Sequence, residues 1–160
     1  MDIQRRQVIE FLGHAAFVLS LLFVALEIRQ ANRIAVGTTT YEIQRNYMAL
    51  NELMMSDGTV PALMVKLRQQ GSSGELSAEE SIRAGALARR FMNMWIAIQV
   101  AYNNGLVEEA IYAGGVSDVS SVVDGLPGLV PFVLQELSDR DHLPNYQILK
   151  PLVAGERSQD

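Results

Sequence analysis

The chain has no cysteine. Disulfides, thiolate metal sites and a cysteine nucleophile are therefore excluded, while either side of a membrane stays open to it. Histidine is scarce: there are two, and one of them, His14, lies inside the longest apolar run. No Gly-x-Ser-x-Gly elbow, His-Glu-x-x-His zinc helix or Gly-x-Gly-x-x-Gly fingerprint occurs. "GSSGE" at 71–75 lacks the lysine a phosphate cradle needs and reads as a linker. No stretch sustains the period-two alternation of a half-buried strand. A basic excess is missing too. Residues 1–50 hold five Arg against four acids, and residues 51–160 hold eight basic residues against fourteen acids. An acidic body has no stripe with which to displace counterions, so nucleic acid is not an expected partner.

What the chain has in quantity is apolar surface. Hydrophobic residues make up 49% of it, and the mean hydropathy is +0.11. Those values are high for a soluble domain and ordinary for a globular part plus one membrane span. From Phe11 to Leu26 there is no Asp, Glu, Lys or Arg, and extending to Val8 and Ile28 adds only Glu10 and Glu27 near the ends. At the α-helical rise the inner part covers ~24 Å and the extended part ~31 Å, against a bilayer core of about 30 Å. The two acids then fall near the interfaces, with Arg5, Arg6, Arg29 and Arg33 as headgroup partners. The expectation is a transmembrane helix over 8–28, with membrane lipid as its partner. A cleaved leader needs a small-x-small site, which neither Val24-Ala25-Leu26 nor Arg29-Gln30-Ala31 supplies. Arg5-Arg6 also sits in poor surroundings for a twin-arginine signal, with Gln4 before it and Glu10 soon after. A buried helix of a soluble protein is the third reading.

Two stripes run along this span. Gly13, Ala16, Ser20, Phe23 and Glu27 follow a 3-4-3-4 spacing, so they share a face on which another helix can approach closely. Arg6, Glu10 and His14 stand one turn apart. A proton relay is one reading of that second stripe. The plainer one pairs Glu10 with Arg6 at the interface and keeps His14 neutral and hydrogen-bonded. Topology is nearly a tie by the positive-inside rule, with Arg5 and Arg6 on one side and Arg29, Arg33 and Arg45 on the other.

The remainder reads as helices. Val36, Thr40, Ile43, Tyr47, Leu50 and Met54 repeat at 4-3-4-3-4, a coiled-coil type of seam, with Ile43, Tyr47, Leu50 and Met54 as its interaction surface. Gly37 and Thr38-Thr39-Thr40 predict a local kink or break, and Asp57-Gly58 a stop. Thr59 is placed as the cap of a short helix with Pro61 in its first turn and Gly71 as terminator. Ser77-Ala78-Glu79-Glu80 is a capping box opening a helix that runs to Asn104 and stops at Gly105. Its apolar line, Leu87, Phe91, Met94, Ile98 and Tyr102, marks it as the central core helix. Met92, Trp95 and Tyr102 are its candidate ligand pocket. A short helix ends at Gly114-Gly115, a second starts at Ser117-Asp118 and breaks at Gly125-Leu126-Pro127, a third covers Leu129–Leu137, and a last one Tyr146–Val153. "SDRDHLPN" reads as a polar turn. Glu136, Asp139, Asp141 and His142 cluster near it, a group that could hold a hard metal but reads more simply as solvated surface. Glu79-Glu80 and Glu108-Glu109 complement helix dipoles.

"LLFVALEIRQANR" (21–33), followed by a helix and then by "LSAEE" and "YNNGLVEE", resembles a set of uncharacterised bacterial single-span membrane proteins. The likeness covers roughly 1–112 and is most specific at the Ile28-Arg29-Gln30 exit. This chain differs in Ala31 before Asn32 and in Arg5 and Arg6 at its start. The resemblance implies a bacterial inner-membrane protein with its domain on the cytoplasmic side, and no activity.

The fold expected is all-α: a tail over 1–7, the transmembrane helix over 8–28 continuing into a small helical bundle over 29–153, and a tail over 154–160. The function expected is non-catalytic and contact-based, as a homo-oligomer or as a subunit of a membrane complex, with no catalytic, cofactor or metal residues. The alternative is a membrane-tethered sensor that binds a small apolar ligand or lipid beside Trp95. An enzyme built on the 136–142 acids and His142 is the third reading.

Overall fold

The computed structural model describes residues 2–56, 58–69, 76–138 and 146–152, with the side chains of the first helix described from Gln7 to Met55. The expectations for "GSSGE", for Gly71 and Asp57, for Asp139, Asp141 and His142, and for the tail over 154–160 lie outside the described residues. So do the side chains of Arg5 and Arg6. Among the described residues there are helices and no strand: α1 (Asp2–Ser56), α2 (Thr59–Arg68), α3 (Ala78–Asn103), α4 (Glu109–Gly125) and α5 (Val130–Ser138). Short 3-10 turns occupy Pro127–Leu129 and Gln147–Leu149. All-α is the observed class.

Two compact units divide the chain, Met1–Thr38 and Thr39–Asp160. The first is the apolar part of α1. Its helix begins at Asp2, so residues 2–7 of the expected tail are helical. α1 is helical through Gly37 to Thr40 and on to Ser56, so the chain has no break there. The propensity cost of one glycine and three threonines, about 1 kcal/mol for the glycine, is outweighed by the turns on either side.

The second unit is built around α3. The capping box forms as expected: Ser77 Oγ accepts from the Glu80 N–H at 3.2 Å, and Glu80 Oε2 accepts from the Ser77 N–H at 2.9 Å. The helix ends where Gly105 takes φ +67°, a left-handed turn that only glycine adopts without strain. Leu87, Phe91, Met92, Trp95 and Ile98 of α3 are buried against Leu63 and Leu67 of α2, Val119 of α4, Val133 of α5, and Ile148 and Leu149 of the last turn.

Three local expectations are corrected. Thr59 is the first residue of α2, not its cap; Gly58 precedes it and supplies no side-chain bond. Gly114-Gly115 does not end a helix, and Ser117-Asp118 does not begin one, because α4 runs unbroken through both pairs. Gly115 is there for space: a Cβ on it would lie 3.1 Å from Ile148 Cδ1 and 3.2 Å from Ile98 Cδ1. The break at Leu126-Pro127 is real and bends the chain by 97°. It folds Leu129, Val133 and Leu137 back into the core.

Candidate functional site

One described helix is long and apolar enough to cross a membrane, and it is the N-terminal one. Its apolar stretch has mean hydropathy 2.1, and none of it is buried within the chain. Phe11 is 73% exposed, Phe17 64% and Leu19 64%. A core helix of a soluble protein would have this surface covered.

Polar groups in the stretch are satisfied by the helix itself. Ser20 Oγ donates to the Ala16 carbonyl at 2.8 Å, and His14 Nδ1 lies 2.6 Å from the Glu10 carbonyl oxygen. A carbonyl only accepts, so Nδ1 is the donor in this contact. Both bonds are one-turn returns of the kind that lets a hydroxyl or imidazole enter a lipid environment. Gly13, Ala16, Ser20, Phe23 and Glu27 are all exposed.

The expected interaction seam has a different fate. Ile43 and Leu50 are buried in the protein's own core, and Tyr47 and Met54 pack against it. The 4-3-4 repeat is therefore the seam by which the last turns of α1 join the bundle, and it is not a free coiled-coil surface. Periodicity identifies an apolar stripe without saying whether its cover is the same chain or another.

The expected ligand pocket is also core. Met92 and Trp95 are each 0% exposed. Trp95 stacks on Phe91 with ring centroids 5.5 Å apart and donates Nε1–H to Asp118 Oδ2 at 2.7 Å. Tyr102 lies at the surface, its ring 4.3 Å from that of Tyr112. The sequence reading missed Asp118. It is half-buried in the middle of α4 and receives a hydrogen bond from the Tyr47 hydroxyl as well. Burial first, then the charge and hydrogen bond of Asp118, push the Tyr47 phenol up to about 12.

Gln99 forms a second junction. Its Oε1 accepts from the Tyr112 hydroxyl at 3.1 Å and from the Ile148 N–H at 3.0 Å, while its Nε2 donates to Asn103 Oδ1 at 2.9 Å. As one of two polar residues between Phe91 and Tyr102, Gln99 was visible in the sequence, but its partners were not. Glu136, grouped above with the 139–142 residues, is committed elsewhere: Arg89 Nε and Nη2 donate to its Oε1 at 3.0 and 2.5 Å. Among the described residues, no three His, Asp or Glu side chains are placed to hold a metal ion.

An apolar pocket of about 310 Å³ opens among α1, α2 and α3, bordered by Leu53, Val60, Leu63, Ala86 and Leu87 together with Arg83 and Arg90. Neither Met92, Trp95 nor Tyr102 borders it. No protein-family model, curated protein or solved structure matches this chain. The class is set by the fold alone: an all-α chain with one helix long and apolar enough to cross a membrane and a small bundle built around α3.

Proposed function

We propose that the protein is a single-span, membrane-anchored helical protein of the bacterial inner membrane. It acts without catalysis, by contact with copies of itself or as an accessory subunit of a membrane complex. The observation that carries this reading is the uncovered apolar stretch of α1, none of it buried by the chain's own residues. Surface of that extent is favourable in lipid and costly in water. The contact face is Gly13, Ala16 and Ser20, where small side chains allow a neighbouring helix to come close. The seam at Ile43 to Met54 no longer supports an intermolecular role, since the bundle occupies it. The Ile28-Arg29-Gln30 exit, through its resemblance to bacterial single-span proteins, supports the inner membrane with the bundle in the cytoplasm.

The absence of cysteine permits a direct test. Single cysteines replace Ser20 on the proposed face and Val18 on the opposite one, and native membranes are oxidised. Ser20→Cys is expected to give a crosslinked dimer, and Val18→Cys a monomer. With a bifunctional thiol-to-amine reagent, an accessory subunit would instead join a different protein through Ser20→Cys alone. A chain recovered only as monomer from both variants would remove the contact role. Release of the full chain from membranes by alkaline carbonate would remove the anchor.

A further inference from the structure

Two arginines border the apolar pocket, and they are not equivalent. Arg83 donates to Thr59 Oγ1 at 2.5 Å and to Glu79 Oε1 at 2.7 Å, so its charge is already met. Arg90, two turns further along α3 on the same face, has no hydrogen bond or ion pair among the described residues. Arg90 also borders a second, more polar pocket of about 190 Å³, where Asn46 and Asn93 stand beside it. Among the described residues, then, this guanidinium stands without a counter-charge between an apolar chamber and a pair of amides. That is the layout of a site for an amphiphile with an anionic head: alkyl chain in the first space, head at the cation.

The sign and the size narrow the occupant. A guanidinium flanked by amide donors selects a carboxylate over a neutral or cationic head. A volume of about 310 Å³ lies at the bottom of the ~300–1,000 Å³ range of small-molecule pockets, which suits one alkyl chain and not the two of a phospholipid. We propose that this pocket binds a single-chain fatty carboxylate, its chain against Leu53, Val60, Leu63 and Leu87 and its carboxylate on Arg90. The site lies wholly within the second unit and does not depend on the anchor or on its contacts.

The test uses the full chain in phosphatidylcholine discs and dodecanoate carrying a mid-chain diazirine, with labelled residues mapped by mass spectrometry. Should the chain prove soluble without lipid, the same labelling is run in plain buffer, so failure of the anchor reading leaves this result readable. Label is expected on the peptides holding Leu53 to Leu63 and Arg83 to Arg90, displaced by excess dodecanoate and not by dodecanol. Arg90→Gln is expected to lower it about tenfold, the size of one charge-assisted bond. Ala86→Trp, which fills the pocket from its exposed edge, should abolish it. Circular dichroism checks that each variant keeps its helix content. Equal competition by dodecanol, label confined to the apolar stretch of α1, or label unchanged in both Arg90→Gln and Ala86→Trp would each overturn the proposal. Loss in Ala86→Trp with none in Arg90→Gln would overturn the carboxylate assignment.

Discussion

Gly128 shows how much a single missing side chain can decide. A Cβ there would lie 2.8 Å from the Leu67 carbonyl oxygen and 3.0 Å from the Leu67 Cα. Both are backbone atoms, so no side-chain rotation relieves the contact, and the turn after α4 would have to move off α2. Forced overpacking of this kind costs about 1–3 kcal/mol. Gly128→Ala is therefore expected to lower the unfolding free energy by about that amount, read as a drop in urea midpoint without a change in slope. Gly125 lies close by in sequence, and a Cβ there would meet nothing within 4 Å. Gly125→Ala thus serves as the control with no steric clash, and equal losses in the two variants would mean that the close approach is not what matters. Nothing in the sequence separates these two glycines. Both lie within two residues of Pro127, and only the partner surface distinguishes them.

At the scale of elements, α1, α3 and α4 are joined by polar groups as well as by apolar packing. Asp118 of α4 accepts from Trp95 of α3 and from Tyr47 near the end of α1. The Tyr47 phenol has its pKa raised from the ordinary 10.0 to about 12 in the fold. A raised value means the folded state holds its proton more tightly than the unfolded chain does. The stabilisation is then complete below pH 10.0 and is lost as pH climbs through about 12. Urea unfolding followed by circular dichroism at a series of alkaline pH values should show a loss that is smaller in Tyr47→Phe than in the parent. An identical loss in both would mean that another group sets the alkaline limit. The same three helices show what the sequence made legible. The capping box and Gly105 located both ends of α3, because caps are local chemistry written into a few adjacent residues. The seam on α1 was found as a stripe, but its cover was not, since a stripe reports an amphipathic helix and no more. In sequence Ser117-Asp118 reads as a helix start because serine and aspartate are usual opening residues. The actual role of Asp118 depends on Trp95 and Tyr47, which come from distant parts of the chain. The pocket at Arg90 was illegible for the same reason, its walls coming from three helices.

On the scale of the whole molecule, the first unit has exposed apolar surface and the second has its own core. Ile43, Leu63, Trp95, Val119, Val133 and Ile148 all belong to one buried cluster, and every member lies beyond Thr38. A unit with its own core and satisfied buried polar side chains should fold without the rest, and among the described residues no buried side-chain nitrogen or oxygen lacks a partner. A chain beginning at Thr39 is therefore expected to be soluble without detergent and to unfold in one cooperative step, with the fluorescence of Trp95 and the helical circular dichroism changing together. The full chain is expected to require lipid or detergent while giving the same unfolding midpoint for Trp95. Two outcomes would count against this division. If the shortened chain were molten, with helix retained but no cooperative change at Trp95, the core would need the N-terminal stretch as a wall. If the full chain stayed in solution without lipid, the apolar surface of α1 would have to find cover in water, by self-association or by folding onto the bundle, and the membrane would lose its place in the mechanism.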